Sequence, residues 1–342
     1  MNKSKEYTDS DFPGRNRLNH ARSISRRDFI GGTAVALGVA SAGLLGAGGL
    51  KAEAANAPAS GSSEKDIRVG MMTAPVSDMP LEHALDMAKR CGQVALEVMA
   101  GPGSKLLDTA NFSQADADSV KKKLADRSLE ISSLANYMNS AEPGKTEQVQ
   151  EVAKKMIDAA ALLGVPTICM ITGIPHPRTS RIDMIKNVVP TIFRPILDHA
   201  KDKGIKVAVE NWFETCLQGI DTFDCLLETL PDEHFGLNYD PSHLVHQDLD
   251  IMIPVARYSK RIFHTHAKDC LMDMQRRRYV GILGPDWWRY AIPGYGAIPW
   301  GQYIGRLREA GYRGVLSIEH EDDTFSPEEG FRHGANYLNR FC

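Results

Sequence analysis

From Asp66 onward the chain alternates short apolar runs, rich in β-branched residues, with longer stretches of helical period, and it does so eight times. No other feature restricts the fold as much. The strand-like runs cover residues 67–73, 94–100, 129–137, 166–171, 205–212, 235–239, 261–267 and 314–319. Helical periods fill 81–91, 115–127, 146–163, 181–203, 222–230, 251–259 and 300–310, with a last helix at 327–339. Gly164, Gly204 and Gly311 stand where helices must end, and Pro327 where a missing N–H costs nothing. Eight βα units in succession predict an α/β fold of one closed (β/α)8 TIM barrel. No G-x-G-x-x-G follows the first strand, which argues against a dinucleotide-binding sheet.

Active sites of such barrels collect at the C-terminal ends of the strands, and here the strand ends carry chemistry. The run Gly236-Leu237-Asn238-Tyr239 stops at Asp240, then at Pro241, which cannot extend a ladder, and Ser242 and His243 follow. Val207-Ala208-Val209 ends in Glu210, Ile262-Phe263 in His264-Thr265-His266, and Val315-Leu316-Ser317-Ile318 in Glu319. Glu, Asp, His and Glu on successive strand ends form a ligand set for a divalent metal. Residues 268–296 form a connection too long for a plain βα turn, and its Trp287, Trp288, Tyr290 and Tyr295 suit either stacking on a sugar ring or packing within the loop.

The first residues read as an address rather than as fold. Arg26-Arg27 in Ser25-Arg26-Arg27-Asp28-Phe29-Ile30 precedes a Gly/Ala-rich apolar stretch ending in the small-x-small site Ala52-Glu53-Ala54. This is the pattern of a twin-arginine export leader. The expected organisation is therefore a signal peptide at 1–54, a linker at 55–65 and a barrel at 66–342. Passage through the twin-arginine translocation machinery implies a periplasmic or otherwise exported protein. Six cysteines without a C-x-x-C pair predict buried free thiols, and a net charge of −3 gives no general pull towards nucleic acid.

Val209-Glu210-Asn211, Asp240-Pro241-Ser242-His243, the H-x-H-A-K-D run from His264 to Asp269, the G-x-G of Gly294 to Gly296 and Ile318-Glu319-His320 together resemble the xylose isomerase-like barrel superfamily of sugar isomerases, epimerases and inosose dehydratases. The resemblance spans the chain after the leader. It implies one Mn²⁺, Mg²⁺, Co²⁺ or Zn²⁺ on Glu210, Asp240, His266 and Glu319. His266 is the histidine followed by Ala-Lys-Asp, while His264 lies two residues back along the strand, one layer deeper. The trinuclear zinc site of the more distant endonuclease IV needs histidines where this chain has Glu97, Asn136-Tyr137 and Tyr290-Ala291-Ile292.

By the same resemblance His243 contacts a substrate hydroxyl, and Lys268, Trp212 and Glu97 complete the candidate substrate-binding residues. For Lys268, a salt bridge to Asp269 or Glu97 is the competing role. A metal that grips a carbonyl and its neighbouring hydroxyl stabilises an ene-diolate, with Glu210 and Glu319 as acid and base. The expected activity is thus a metal-dependent sugar isomerase or epimerase acting on a ketose or keto-sugar. The first alternative is a 3-keto-glycoside lyase using the same metal for β-elimination, and the second is a non-catalytic carbohydrate-binding barrel. Homo-oligomers, dimers above all, are common in the superfamily.

Overall fold

A computed structural model of the chain describes residues 67–342. The leader and the linker expected at 1–54 and 55–65 lie outside the described residues. Eight parallel strands close into a barrel: β1 (Arg68–Met72), β2 (Ala95–Gly101), β3 (Glu130–Ala135), β4 (Thr167–Ile171), β5 (Lys206–Glu210), β6 (Phe235–Tyr239), β7 (Ile262–Ala267) and β8 (Val315–Ile318). Each pairs with the next, and β1 pairs with both β8 and β2 to close the ring. Helices pack on the outside of the barrel and side chains fill its inside, so the strands are buried on two faces and read as continuous apolar runs. Two register shifts interrupt the ladders, between Leu96 and Glu97 against β3 and between Leu237 and Asn238 against β7. Such irregularities re-aim side chains, and both fall at residues that line the floor of the site described below.

The helices run α1 (Leu81–Arg90), α2 (Gln114–Ala125), α3 (Thr146–Leu163), α4 (Arg181–Asn187), α5 (Val189–Lys203), α6 (Ile220–Thr229), α7 (Ser242–Val245), α8 (Met252–Tyr258), α9 (Met274–Val280), α10 (Trp300–Glu309) and α11 (Pro327–Leu338). Gly164 and Gly204 end α3 and α5 in the left-handed conformation, at φ 75° and 69°.

One expectation is corrected. The single helix expected over 181–203 breaks at Val188 into α4 and α5, because Pro190 supplies no N–H to the preceding turn. Pro195 lies inside α5 and deprives the Thr191 carbonyl of its helical donor; Gln150 Nε2 on α3 reaches across to that carbonyl at 3.1 Å. The long connection, expected to exceed a plain βα turn, is a structured excursion. Strands Asp269–Met272 and Trp288–Ala291 form an antiparallel hairpin with α9 at its tip, where Asp273 caps the helix by accepting from Gln275 N and Arg276 N.

Candidate active site

At the C-terminal mouth of the barrel, β5 delivers Glu210, and Asn211 behind it zips two strand ends together. Its amide donates to Asp240 O at 2.7 Å and its carbonyl accepts from Asp240 N at 2.9 Å. After Asp240 the chain turns at once. Pro241 cannot continue the ladder, and Asp240 Oδ1 accepts from Ser242 N at 2.7 Å, starting the single turn α7. That turn swings His243 back over the strand ends, with Nε2 3.2 Å from Glu210 Oε1 and 3.4 Å from Asp240 Oδ2.

His264 and His266 point into the barrel from β7, two residues apart, while Thr265 between them points out and donates to Tyr239 O. His264 is the deeper one, held by Asn238 Oδ1 at 3.0 Å and by Ser132 Oγ at 3.1 Å; burial brings its pKa down to about 4, so it is a neutral structural ring. His266 Nδ1 faces the mouth, 3.1 Å from Glu319 Oε2, 3.3 Å from Glu210 Oε1 and 4.0 Å from Asp240 Oδ2. Its Nε2 faces down to Glu97 Oε2 at 3.0 Å.

Glu97 is fully buried, and Tyr137 OH donates to its other oxygen at 2.6 Å. Glu97, expected to bind substrate, thus lies beneath the site as a partner of His266. Burial pushes its carboxyl up, but His266 and His264 outweigh that and bring it down to about 2. For Lys268 the structure changes the partners of the competing salt bridge. Neither Asp269 nor Glu97 is its partner; its ammonium, 1% exposed, donates to Glu319 Oε2 at 2.6 Å and Glu321 Oε2 at 3.2 Å, and lies 3.4 Å from Asp240 Oδ2. Asp269 instead accepts from Gly294 N, Ile298 N and Trp300 Nε1, which ties the end of the hairpin to the barrel. A Cβ on Gly296 would strike the Asp269 carboxylate, so the second glycine of the G-x-G is sterically required.

Electrostatically the mouth is a knot of like charges. Burial, and then the nearness of Glu319, raise Glu210 to about 7. Asp240 is raised by burial too, whereas Lys268 and His266 overcome burial to hold Glu319 well below the usual carboxylate range. Among the described residues none donates a hydrogen bond to the buried Asp240 Oδ2, with Lys268 Nζ and His243 Nε2 each 3.4 Å away. Glu210, Asp240, His243 and Glu319 each offer an atom within 4.8 Å of all the others. An oxygen-rich donor set with one imidazole and an orphaned carboxylate oxygen fits a divalent cation. The resemblance implies only a substrate contact for His243; α7 places it within the same donor group, and the two histidines face the carboxylates from different elements.

Of the remaining candidates, Trp212 is half-buried, with its ring edge-on to Phe213 at 6.2 Å between centroids. Among the loop aromatics, Trp287 is buried and bonded to Ile282 O, and Tyr295 pairs with His333, so neither faces the site. Tyr290 does, through a 2.7 Å bond between its hydroxyl and His243 Nδ1. A cleft of about 630 Å³ beside Arg181, Gln218, Asp221 and Gln247 contains none of the donor residues.

A family model described as "Xylose isomerase-like TIM barrel" matches residues 85–341. The chain belongs to this family. Within this family of xylose isomerase-like barrels, it is 26% identical to the uncharacterised protein YfiH of Bacillus subtilis over 80% of this chain and 99% of that one. It is 27% identical to inosose dehydratase of Clostridium beijerinckii over 128 residues, 36% of this chain and 43% of the enzyme, less than half of that enzyme's length. Among solved structures, the IolI protein with a bound zinc atom superposes with a TM-score of 0.63 at 18% identity, covering 81% of this chain and 99% of that one.

Proposed function

We propose that this xylose isomerase-like barrel is an exported, metal-dependent sugar isomerase or epimerase acting on a ketose or keto-sugar. The observation that carries the reading is the pair of glutamates: Glu210 and Glu319 end β5 and β8 and both contact His266 Nδ1, with the orphaned Asp240 Oδ2 between them in strand order. One divalent ion, Mn²⁺, Mg²⁺, Co²⁺ or Zn²⁺, held by Glu210, Asp240, His266 and Glu319 with His243 beside them, would act as the Lewis acid that polarises a substrate carbonyl.

The side chains provide the proton chemistry. Lys268 keeps Glu319 ionised, so Glu319 takes the proton from the carbon beside the carbonyl. Glu210, held by its neighbours at the edge of protonation, returns a proton. Return to the opposite face of the same carbon epimerises it, and return to the adjacent carbon isomerises the sugar. The Lys268 ammonium, 3.4 Å from His243 Nε2, is placed to balance charge gathering on a substrate oxygen.

The likeness to inosose dehydratase favours one second reading: a lyase, in which Glu319 takes the same proton and a β-substituent leaves instead of a proton returning. Proton NMR of the metal-loaded protein in D₂O, with free ketoses and 3-keto-glucosides, separates the two. Deuterium entering a sugar whose other bonds stay intact supports the isomerase or epimerase. Release of the aglycone with an unsaturated keto-sugar means the lyase, and no reaction with any of them overturns both. Export rests on Arg26-Arg27. Cell fractionation should find the wild-type chain in the periplasm and the Arg26→Lys, Arg27→Lys double variant in the cytoplasm; periplasmic recovery of that variant refutes the twin-arginine route.

A further inference from the structure

The hairpin that follows β7 carries aromatic side chains for which the proton chemistry has no use. Trp288 and Tyr290 are two residues apart on one strand, so they share a face, and Arg289 between them points to the other. Arg289 is anchored there to the buried Asp322 at 2.7 Å. The aromatic face is thereby fixed towards the barrel mouth. Tyr290 bonds His243 and sits beneath the Lys268 ammonium, 4.3 Å from the ring centre. Trp288 lies one step further out, 5.2 Å from Tyr290 between ring centroids. Its indole is stacked flat on His246 at 3.9 Å and met edge-on by Phe213 at 5.8 Å.

The patch thus begins at the carboxylate cluster and runs outward along the hairpin, and Phe213, Trp288 and Tyr290 are half-buried, each keeping part of its surface open. Half-buried aromatics packed into one wall beside a polar site are the material of a ligand subsite. Phosphate does not suit the wall, because its cations are committed: Arg289 to Asp322, and Lys268 to Glu319 and Glu321. What the wall offers is flat apolar surface, already ordered by stacking, so that little side-chain freedom is lost on binding.

We propose that Trp288 and Phe213 form a subsite for the ring attached to the reacting sugar, and hence that the substrate is a glycoside with a second ring, a sugar or an aromatic aglycone, rather than a free monosaccharide or a sugar phosphate. The inference rests on the reading of the carboxylate cluster as the reacting end.

Isothermal titration of the full chain with methyl β-glucoside, cellobiose and phenyl β-glucoside tests it without requiring turnover. At least one of the two-ring ligands should bind about tenfold tighter than methyl β-glucoside, equivalent to about 1.4 kcal/mol. Gain for cellobiose alone names a second sugar, and gain for phenyl β-glucoside alone an aromatic aglycone; both support the subsite. Trp288→Ala should remove the gain and Trp288→Phe retain most of it, and Phe213→Ala provides the same test should Trp288→Ala fail to fold. Asp240→Asn should leave the gain intact, so the subsite survives even if no sugar is turned over and the proposed function fails. Equal binding of all three ligands by the wild type, or an undiminished gain in both alanine variants, overturns the proposal.

Discussion

Lys268→Met should unbalance the site in a way that a metal repairs. The ammonium is fully enclosed, 2.6 Å from Glu319 Oε2 and 3.4 Å from Asp240 Oδ2. At such separations and an effective dielectric near 20, each attraction is worth roughly 5–6 kcal/mol before desolvation is counted. Desolvation of the ammonium offsets much of this, and what remains is the penalty for leaving buried carboxylates without their cation, about 3–5 kcal/mol. Glu319, Glu321 and Asp240 together hold the Lys268 pKa well above its ordinary 10.5 despite burial. The contribution is therefore complete below the unfolded-state value and is lost only as pH rises through the still higher folded one, so it is in full force at pH 7.

In EDTA the variant should lose that amount, measured from guanidinium midpoints and slopes, with a thermal midpoint lower by roughly 5–9 °C. A divalent cation supplies positive charge to the same carboxylates. Saturating Mn²⁺ should therefore stabilise Lys268→Met more than it stabilises the wild type. Equal stabilities in EDTA, or equal gains from Mn²⁺, would show that Lys268 does not neutralise this cluster.

Three further outcomes follow from the same charges. Glu210 sits at about 7 against an ordinary 4.5, a raised carboxyl, so the metal-free wild type should lose stability as pH rises through that window; Glu210→Gln in EDTA should escape the loss and be more stable at pH 8 by up to ~3 kcal/mol, and parallel pH curves for the two proteins would refute it. Asp240→Asn should lower bound metal at least tenfold by elemental analysis with the circular dichroism unchanged, and an undiminished metal content would remove Asp240 from the site. Glu97→Gln should weaken metal binding about 10–100-fold in a chelator competition, since His266 loses the carboxylate that orients it, and an unchanged affinity would reduce Glu97 to a packing residue.

The strands were legible because a strand buried on both faces is written as a continuous apolar run, and because its last residue departs from that pattern. Glu210, Asp240, His266 and Glu319 are such departures, and the structure gathers them at one mouth. Local chemistry missed what depends on distant partners. Nothing near Glu97 in the sequence announces His266, 169 residues away, and its full burial is a property of the closed barrel. Likewise the break at Val188 was hidden in a stretch whose apolar period continues through both helices, although Pro190 marks it. The hairpin had a faint signal in Asp273, a good helix cap at the turn into α9, and in the alternation of Trp288, Arg289 and Tyr290.

The run from His264 to Asp269 shows why one short motif carries so much of this site. Side chains alternate along an extended chain. His264, His266 and Lys268 therefore point into the barrel at successive heights: a structural ring, a ring facing the carboxylates, and the ammonium that balances them. Thr265 and Asp269 point the other way, Thr265 to Tyr239 O on the neighbouring strand and Asp269 to the backbone of Gly294 and Ile298. Asp269 and Asp322 both fasten the returning limb of the excursion, at Gly294 and at Arg289, to the ends of β7 and β8. The hairpin is consequently held to the residues that hold the charges, and Tyr290 closes the circuit through His243. Inserting or deleting one residue between His266 and Asp269 would exchange inside for outside, removing Lys268 from the carboxylates and Asp269 from the loop in a single change. The proton chemistry and the aromatic wall therefore share one register, so the wall can change its side chains freely but its length only in steps that preserve that register.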